Sequence, residues 1–372
     1  MDPVVQPATT TALQRAPLYA LFAANAISAV GDVLTFLAIP WFVLQTTGSI
    51  TKTGITAFFA TASIALSAFF GSALVDRLGY KRASVVSDLL SAAGVACIPL
   101  LYALGRLAFW ELLALVFLAG LFTTPGGTAR AALVPDLAER ARMRLERVSA
   151  ATDGTTRISS FIGAPLAGVL IAFTGTSNLL WIDAATFVVS AAMIGLAVPA
   201  LRPMSAAVIA QAAAPVRGVR GRVRVYLADI SQGARFIWRD HLILSIIGVI
   251  MVTNLLDAAY GSVLAPVFIK RVFGNAIVLG GLVAALGGAA FLGTVVFGAI
   301  GHRLPRRLTL GVSYTIGGGT RFLALALIPF VPALLAIQAV SGFFIGAINP
   351  LVDTVAYERI PVGMRARVFG TI

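Results

Sequence analysis

Two aspartates stand alone inside long apolar stretches of this sequence. Asp32 lies within the run 17–45, and Asp257 lies within the run 242–268. A charged side chain in a membrane interior costs roughly 2.5–3.5 kcal/mol on insertion scales, so it usually faces a water-filled cavity or a partner. Carboxylates in such places suit the binding and release of protons. Asp32 and Asp257 are therefore candidates for proton coupling, and a structural ion pair, or pairing with Asn254 or a backbone group, remains the alternative.

Other charged residues also fall in or beside apolar runs. We expect Asp183 to serve structure, because its run is more peripheral, and Arg321 to have a buried partner. Arg130, Asp353 and Glu358 are expected near the cytoplasmic surface, where charges can act at a gate.

Aromatic and polar residues near the two aspartates are candidates for lining a binding cavity. They offer stacking faces and hydrogen bonds to a small molecule. These candidates are Phe36, Trp41, Asn254 and Tyr260.

The elements that must position these residues are membrane-spanning helices. Hydrophobic residues make up 59% of the chain and charged residues 12%, whereas soluble domains carry about 25% charged residues. A bilayer requires about 20 apolar residues per helix. Runs of that length lie at 17–45, 54–75, 83–104, 108–128, 155–174, 177–200, 242–268, 276–301, 308–329 and 331–354. The sequence therefore predicts an all-α integral membrane protein with about ten complete transmembrane helices.

An eleventh apolar run begins near Arg367, and the sequence ends at Ile372. From this we expect the start of an eleventh helix, and either a fragment or a naturally shortened protein.

The net charge of +13 is distributed unevenly along the chain. With the N-terminus placed in the cytoplasm, 22 of the 28 Lys and Arg residues fall in cytoplasmic segments and four fall outside. Basic loops stay in the cytoplasm, so this distribution predicts a cytoplasmic N-terminal tail at 1–16 and insertion in the cell membrane. The bilayer thus explains the basic charge without a nucleic acid partner.

The chain is built from two related halves. Asp32, Pro40 and Pro125 recur as Asp257, Pro266 and Pro350 at an offset of about 226 residues. This pattern indicates duplication of a six-helix unit, and parallel repeats are typical of transporters whose binding site lies near the membrane midplane. The predicted parts are an N-terminal bundle at 17–200, a cytoplasmic linker at 201–240 and an incomplete C-terminal bundle at 241–372.

The short loop after the second run carries a specific arrangement of charges and glycine. Gly79 permits a tight turn, and the bases after it hold the loop at the anionic inner leaflet. In order, the residues are Ser72, Asp76, Arg77, Gly79, Lys81 and Arg82. This loop resembles the gating loop of the major facilitator superfamily, in which the opening Gly falls on Ser72 here. A basic loop that only sets topology is the alternative.

Three further stretches resemble parts of that superfamily, and two of them resemble one of its branches. Residues 128–137 and 181–187 look like the macrolide-efflux and enterobactin-exporter branch. Gly163, Pro165 and Gly168 resemble the antiporter motif of the family, although Ala164 separates Gly from Pro; ordinary helix packing is the alternative.

The resemblance implies a major facilitator fold of two six-helix bundles. It also implies proton-coupled export, by alternating access, of small amphipathic compounds such as drugs, macrolides or siderophores. An importer of the same fold, or a membrane sensor that does not transport, remains an alternative. We expect a monomer that is not an enzyme, with protons or another cation as the coupling ion. No cofactor or metal is expected, because the sequence has no phosphate-binding loop and no metal-binding motif.

Overall fold

The computed structural model describes residues 8–199 and 240–359, together with positions 235, 237 and 238. Within these ranges, the description excludes the side chains at 8–14, 68–70, 72–74, 76–77, 145–146, 149–150, 153, 156–157, 160, 302, 353 and 356–359. The predicted linker lies almost entirely outside the described residues, as does the predicted start of an eleventh helix.

Six long helices follow one another through short connections in the first half of the chain. They are α1 (Ala8–Thr47), α2 (Ile50–Leu78), α3 (Tyr80–Ala103), α4 (Phe109–Arg140), α5 (Leu145–Thr174) and α6 (Thr176–Ala197). Ser49 caps α2, because its side chain accepts a hydrogen bond from the backbone N–H of Lys52 at 3.2 Å. Gly79 alone separates α2 from α3 and has φ of 77°, a backbone conformation that favours glycine. The expected tight turn is present there.

The second half contains shorter helical pieces joined by π-helical turns. They are α7 (His241–Ala259), α8 (Ala265–Val272), α9 (Ala276–Ile300), α10 (Arg306–Val312), α11 (Thr320–Leu327), α12 (Val331–Ile345) and α13 (Ile348–Arg359). A π turn at Tyr260–Leu264 joins α7 to α8, and another at Ser313–Gly319 joins α10 to α11. Such turns interrupt the regular hydrogen bonding of a helix and are frequent at functional sites.

The described part of the chain is helical and contains no strand, which confirms that the protein is all-α. Seven of its helical stretches are long and apolar enough to cross a membrane. They are Arg15–Thr47, Tyr80–Ala103, Phe109–Arg140, Thr176–Ala197, His241–Val272, Ala276–Ile300 and Val331–Val352. The count of ten complete spans stays a prediction.

The chain divides into two compact units. The first unit contains the described residues of Met1–Met204 together with Ser262–Ala284, and the second contains those of Ser205–Gly261 and Ala285–Ile372. Segments of the second half of the sequence, including α8, thus pack with the first unit. The division into bundles at 17–200 and 241–372 remains a prediction about the repeat.

Within the first unit, α6 packs against both α1 and α3, and α4 packs against α2 and α3. An apolar core joins the ends of α1, α4 and α6, where Leu18, Leu137 and Ile194 are fully buried or nearly so. This packing holds the faces of α1, α3, α4 and α6 that carry the buried polar residues described next.

Candidate functional site

The carboxylate of Asp183 lies buried in the first unit, between α6 and α1. Its side chain is fully buried. The Thr35 hydroxyl of α1 donates a hydrogen bond to Oδ2, and the Thr186 hydroxyl lies 3.2 Å from Oδ1. No Lys or Arg in the described part of the chain forms an ion pair with it. Asp183 therefore has neutral hydrogen-bond partners only, within that part.

Gly31 makes this close approach of the two helices possible. A Cβ atom added at Gly31 would overlap Oδ1 of Asp183 and the hydroxyl oxygen of Thr186. Glycine leaves the backbone of α1 open at this point, as small residues do where membrane helices meet. Asp183 therefore contacts α1 directly beside Asp32.

Asp32 is partly buried in α1 and has no base of its own. No side-chain hydrogen bond joins it to the part of the chain that the structure describes. Three charged groups interact with it electrostatically. The interaction with Asp183 is the strongest, followed by those with Arg130 and Asp88. Asp32 is therefore an acid with some exposure, and the charged group that interacts with it most strongly is a second acid.

A buried ion pair joins α3 to α4 in the same unit. Nη1 of Arg130 donates to both carboxylate oxygens of Asp88, at 2.7 and 3.0 Å. The hydroxyl of Ser190 in α6 donates to Asp88 at 2.7 Å, and Nη2 of Arg130 lies 3.4 Å from the hydroxyl of Ser28 in α1. The pair therefore connects four helices.

This pair shows the surroundings of Arg130 and adds a residue that the sequence analysis missed. Arg130 lies within α4 and is 5% exposed, and its expected position near the cytoplasmic surface stays a prediction. Asp88 is not among the sequence candidates. A usable signal was present, because Ser84, Ser87 and Ser91 surround it in an otherwise apolar run and give α3 a polar face.

In the second unit, Asp257 is paired with Arg321, as expected for the arginine. Nη2 of Arg321 donates to Oδ1 of Asp257. The Arg321 side chain is 4% exposed, whereas that of Asp257 is 44% exposed. The structural alternative for Asp257, an ion pair, is thus present in this unit.

Two aromatic rings complete the surroundings of Arg321. Its guanidinium carbon lies 4.9 Å from the ring centre of Tyr260 and 5.4 Å from that of Phe322, at cation–π distance. The Tyr260 hydroxyl donates to the side chain of Gln338 in α12 at 3.3 Å. The buried guanidinium is therefore held by a carboxylate and by two ring faces.

The four cavity candidates separate into exposed and buried side chains. Phe36 is 51% exposed, and Asn254 is also exposed. Trp41 and Tyr260 are buried, and the ring of Trp41 lies 5.1 Å from the ammonium of Lys270. Only Phe36 and Asn254 are open for contact with a small molecule in their own units.

The antiporter-like motif forms a close helix crossing in the first unit. A Cβ atom added at Gly168 would lie 2.8 Å from the carbonyl oxygen of Ala276 and 3.1 Å from Cα of Gly280. At Gly163 an added Cβ would lie 3.1 Å from Val33, while Pro165 is exposed. The two glycines therefore allow α5 to approach α9 and α1, which agrees with the packing alternative.

The loop after α2 is described in part. Gly79 forms the turn, Lys81 is partly exposed and Arg82 is exposed. The side chains of Ser72, Asp76 and Arg77 lie outside the described residues, so the gating interpretation of this loop stays a prediction.

Among the described residues, no group of His, Cys, Asp and Glu is placed to hold a metal ion. Two clefts of about 580 Å³ each lie at helix ends, one lined by Arg306 and Arg307 and the other by Arg140 and Arg142. Neither cleft is lined by the embedded acids. The chemistry that these acids can perform is proton exchange and ion pairing.

Comparison with known proteins identifies the family of this chain. Residues 21–372 match the Major Facilitator Superfamily. The chain is 31% identical over 366 residues to the multidrug efflux pump Tap of Mycolicibacterium fortuitum, and the match covers 97% of this chain and 86% of the pump. It is 27% identical over 366 residues to the enterobactin exporter EntS of Citrobacter koseri, with 94% and 79% covered.

Solved transporter structures share the fold. The nucleoside transporter NupG superposes with a TM-score of 0.69 at 12% identity, over 95% of this chain and 86% of that one. The peptide transporter POT superposes with a TM-score of 0.67 at 14% identity, over 99% and 88%. At such identities the likeness concerns the fold alone. The match along nearly the whole sequence shows that the chain belongs to the Major Facilitator Superfamily, as a multi-pass secondary transporter and not an enzyme.

Proposed function

We propose that this protein exports small amphipathic compounds from the cytoplasm in exchange for protons, as a monomer working by alternating access. The direction rests on its relatives, since Tap is a multidrug efflux pump and EntS an enterobactin exporter. Both matches extend along more than nine tenths of this chain. Drugs, macrolides and siderophores are the compounds to test first.

The proposal of proton coupling rests on the surroundings of Asp32. This acid lies in a membrane-spanning helix, is partly accessible, and has no hydrogen bond or ion pair of its own among the described residues. An ionised carboxylate without a partner is costly there, and a proton removes that cost. Asp32 is thus the stronger coupling candidate. Asp257 must first release Arg321, so its protonation would be linked to breaking an ion pair.

Transport by purified protein in liposomes tests both parts of this proposal. With ethidium as an amphipathic cationic probe and erythromycin as a macrolide, we expect an imposed pH gradient to drive probe movement against the proton flow. Asp32→Asn should abolish the coupled movement, while Glu139→Gln, at an exposed acid at the end of α4, should retain it. Equal transport by Asp32→Asn and the native chain would contradict the assignment of Asp32.

Whole cells distinguish export from import. A host that lacks its own pumps should accumulate less ethidium when it produces the protein, and should tolerate more erythromycin. Greater accumulation would identify an importer, and unchanged accumulation together with inactive liposomes would favour a sensor.

The proposed orientation places the N-terminus and the segment around Arg220 in the cytoplasm. Cys97 is the sole cysteine in the sequence, so a Cys97→Ala background lets one introduced cysteine report its own side of the membrane. A cysteine at position 220 should react with an impermeant maleimide only after the membrane is opened. Strong labelling of intact cells would reverse the topology.

A further inference from the structure

A continuous row of polar side chains follows the line where α1 meets α6. Ser28, Asp32 and Thr35 have the spacing of one face of α1, and Asp183, Thr186 and Ser190 have that of one face of α6. The two faces span about 10 Å along the helices, at 1.5 Å per residue. We call this row the α1–α6 seam. Thr35 bonds to Asp183 at one end, and the Asp88–Arg130 pair bonds to Ser28 and Ser190 at the other.

The seam holds more acid than base. The only base that bonds to it, among the described residues, is Arg130 of α4. Both oxygens of Asp88 already accept hydrogen bonds from that guanidinium. Asp32 and Asp183 are therefore left without a positive partner in the described part of the chain. Two adjacent carboxylates in a poorly solvated place cannot both carry a negative charge at low cost, because burial and mutual repulsion act together.

The Arg130 end of the seam also contains unused hydrogen-bonding groups. The hydroxyl of Ser87 and Nε of Arg130 are buried and have no hydrogen-bond partner among the described residues. Ser87 and Asp88 both face Gly126 of α4. A Cβ atom added at Gly126 would lie 3.2 Å from Oδ1 of Asp88 and 3.2 Å from Cβ of Ser87. Buried polar atoms are seldom left unbonded. These groups leave unused hydrogen-bonding capacity beside Asp88, at the Arg130 end of the seam.

From this geometry we infer that Asp183 is a second proton-binding group of the transporter, and that proton binding at Asp183 is coupled to proton binding at Asp32. The inference rests on the proposed proton coupling and extends it to a residue that the sequence assigns to structure. The Thr35 hydroxyl orients the Asp183 carboxyl, and Gly31 lets that carboxyl reach α1 beside Asp32. Arg130 acts as a positioning residue, because it neutralises Asp88 and keeps that third carboxylate from competing for the proton.

The charged groups around the pair come from several helices. Asp88 of α3 and Arg130 of α4 face it, and Lys270 of α8, which also packs against α1, lies over Trp41. In α5, the side chains of Asp153 and Arg157 lie outside the described residues.

Infrared difference spectroscopy tests proton binding without requiring transport. The full chain in lipid nanodiscs is titrated between acid and alkaline pH, and the carbonyl stretch of protonated carboxyl groups is recorded. We expect a titrating band in the native protein that changes in both Asp32→Asn and Asp183→Asn. The losses in the two single variants should not add up to the loss in the double variant, because the groups titrate as a pair. Glu139→Gln should leave the band unchanged.

The outcomes separate this inference from the proposed function. A band that responds to Asp32→Asn but not to Asp183→Asn would overturn the inference while leaving proton coupling at Asp32 intact. Paired bands in a protein that transports nothing would support coupled proton binding and contradict the export proposal. A band that disappears when Na⁺ replaces choline at fixed pH would assign the pair to a metal cation and overturn the proton assignment.

A second variant, Thr35→Val, tests the same inference if Asp183→Asn does not fold. Thr35→Val removes the hydroxyl that donates to Asp183 and keeps the size of the side chain. The carboxyl band should then move to higher frequency, because the carbonyl loses a hydrogen bond, and an unmoved band would overturn the inference. In liposomes, Asp183→Asn should slow pH-driven export by roughly tenfold or more, as expected when a proton-transfer group is removed.

Discussion

Asp32 of α1 and Asp257 of α7 occupy matching positions in the two halves of the sequence, yet their surroundings in the two units differ. In the second unit, Arg321 binds Asp257 and lies against two aromatic rings. In the first unit, the buried arginine is paired with Asp88, and the charged group that interacts most strongly with Asp32 is another acid. One unit therefore holds its embedded acid as an ion pair, and the other holds it next to a carboxyl group.

The residue before each acid contributes to this difference. Gly31 precedes Asp32 and leaves room for Asp183 to reach α1, whereas Leu256 precedes Asp257 and is 47% exposed. The first helical stretch of the second half, His241–Val272, is also much less buried than α1. In its apolar segment 6% of the residues are buried, against 61% in the apolar segment of α1. Two helices at matching positions in the sequence thus have different electrostatic environments, set by the residues that pack on them.

The largest expected effect comes from breaking the ion pair that occupies Arg130. Arg130→Met leaves the Asp88 carboxylate buried and unpaired, and should destabilise the protein by about 3–5 kcal/mol. Reversible unfolding in mixed SDS micelles measures this loss. Arg130→Met combined with Asp88→Leu should recover most of the stability, because neither charge then remains. If the double variant is as unstable as the single one, charge pairing is not the cause.

The two matching acids should respond differently to the same substitution. Asp257→Asn removes the partner of a buried guanidinium and should cost about 2 kcal/mol, less than a fully buried pair because Asp257 is partly exposed. Asp32→Asn removes no ion pair, so its stability should stay within about 0.5 kcal/mol of the native protein. Unfolding of both variants under one set of conditions gives the contrast, and equal losses would remove it.

Filling the space at Gly31 should disturb the first unit only. In Gly31→Ala the added methyl group displaces Asp183 and Thr186, at an expected cost of roughly 1–2 kcal/mol. The same variant should alter the titrating carboxyl band. Leu256→Ala is the matched control at the corresponding position of the second half, where a smaller side chain displaces nothing. Equal carboxyl spectra for Gly31→Ala and the native protein would show that this contact does not set the environment of the acids.

The smallest expected effect concerns the rings around Arg321. Arg321→Lys keeps the positive charge beside Asp257 but loses the planar group that lies over Tyr260 and Phe322. We expect a loss of about 1 kcal/mol, within the range of cation–π contacts. Phe322→Leu tests the ring contribution separately. No loss in either variant would leave the carboxylate as the sole partner that matters for Arg321.

Much of the architecture could be predicted because it depends on composition along the chain. A membrane helix needs a long apolar run, and a basic loop stays in the cytoplasm, so local patterns carry that information. Asp32 and Asp257 stand out for the same reason, since a charge inside an apolar run is visible without any contact. The turn at Gly79 was likewise apparent from neighbouring residues.

The partners of these charges could not be predicted in the same way. Asp88 and Arg130 are 42 positions apart, and Thr35 and Asp183 are 148 apart, so no local spacing relates them. Arg130 sits close enough to the basic loop to be grouped with it. Only the packing of α3 against α4 shows that it is buried against Asp88.

By itself, the sequence determined that this is a helical membrane transporter, because hydrophobicity, loop charge and family motifs are properties of the chain read in order. The tertiary structure decided which acids have a base and which have another acid. That outcome depends on which helix faces meet, and on small residues such as Gly31 that let them approach. Electrostatic energy in a poorly solvated interior changes steeply with distance, so residues with the same sequence context acquire different chemistry once the helices pack.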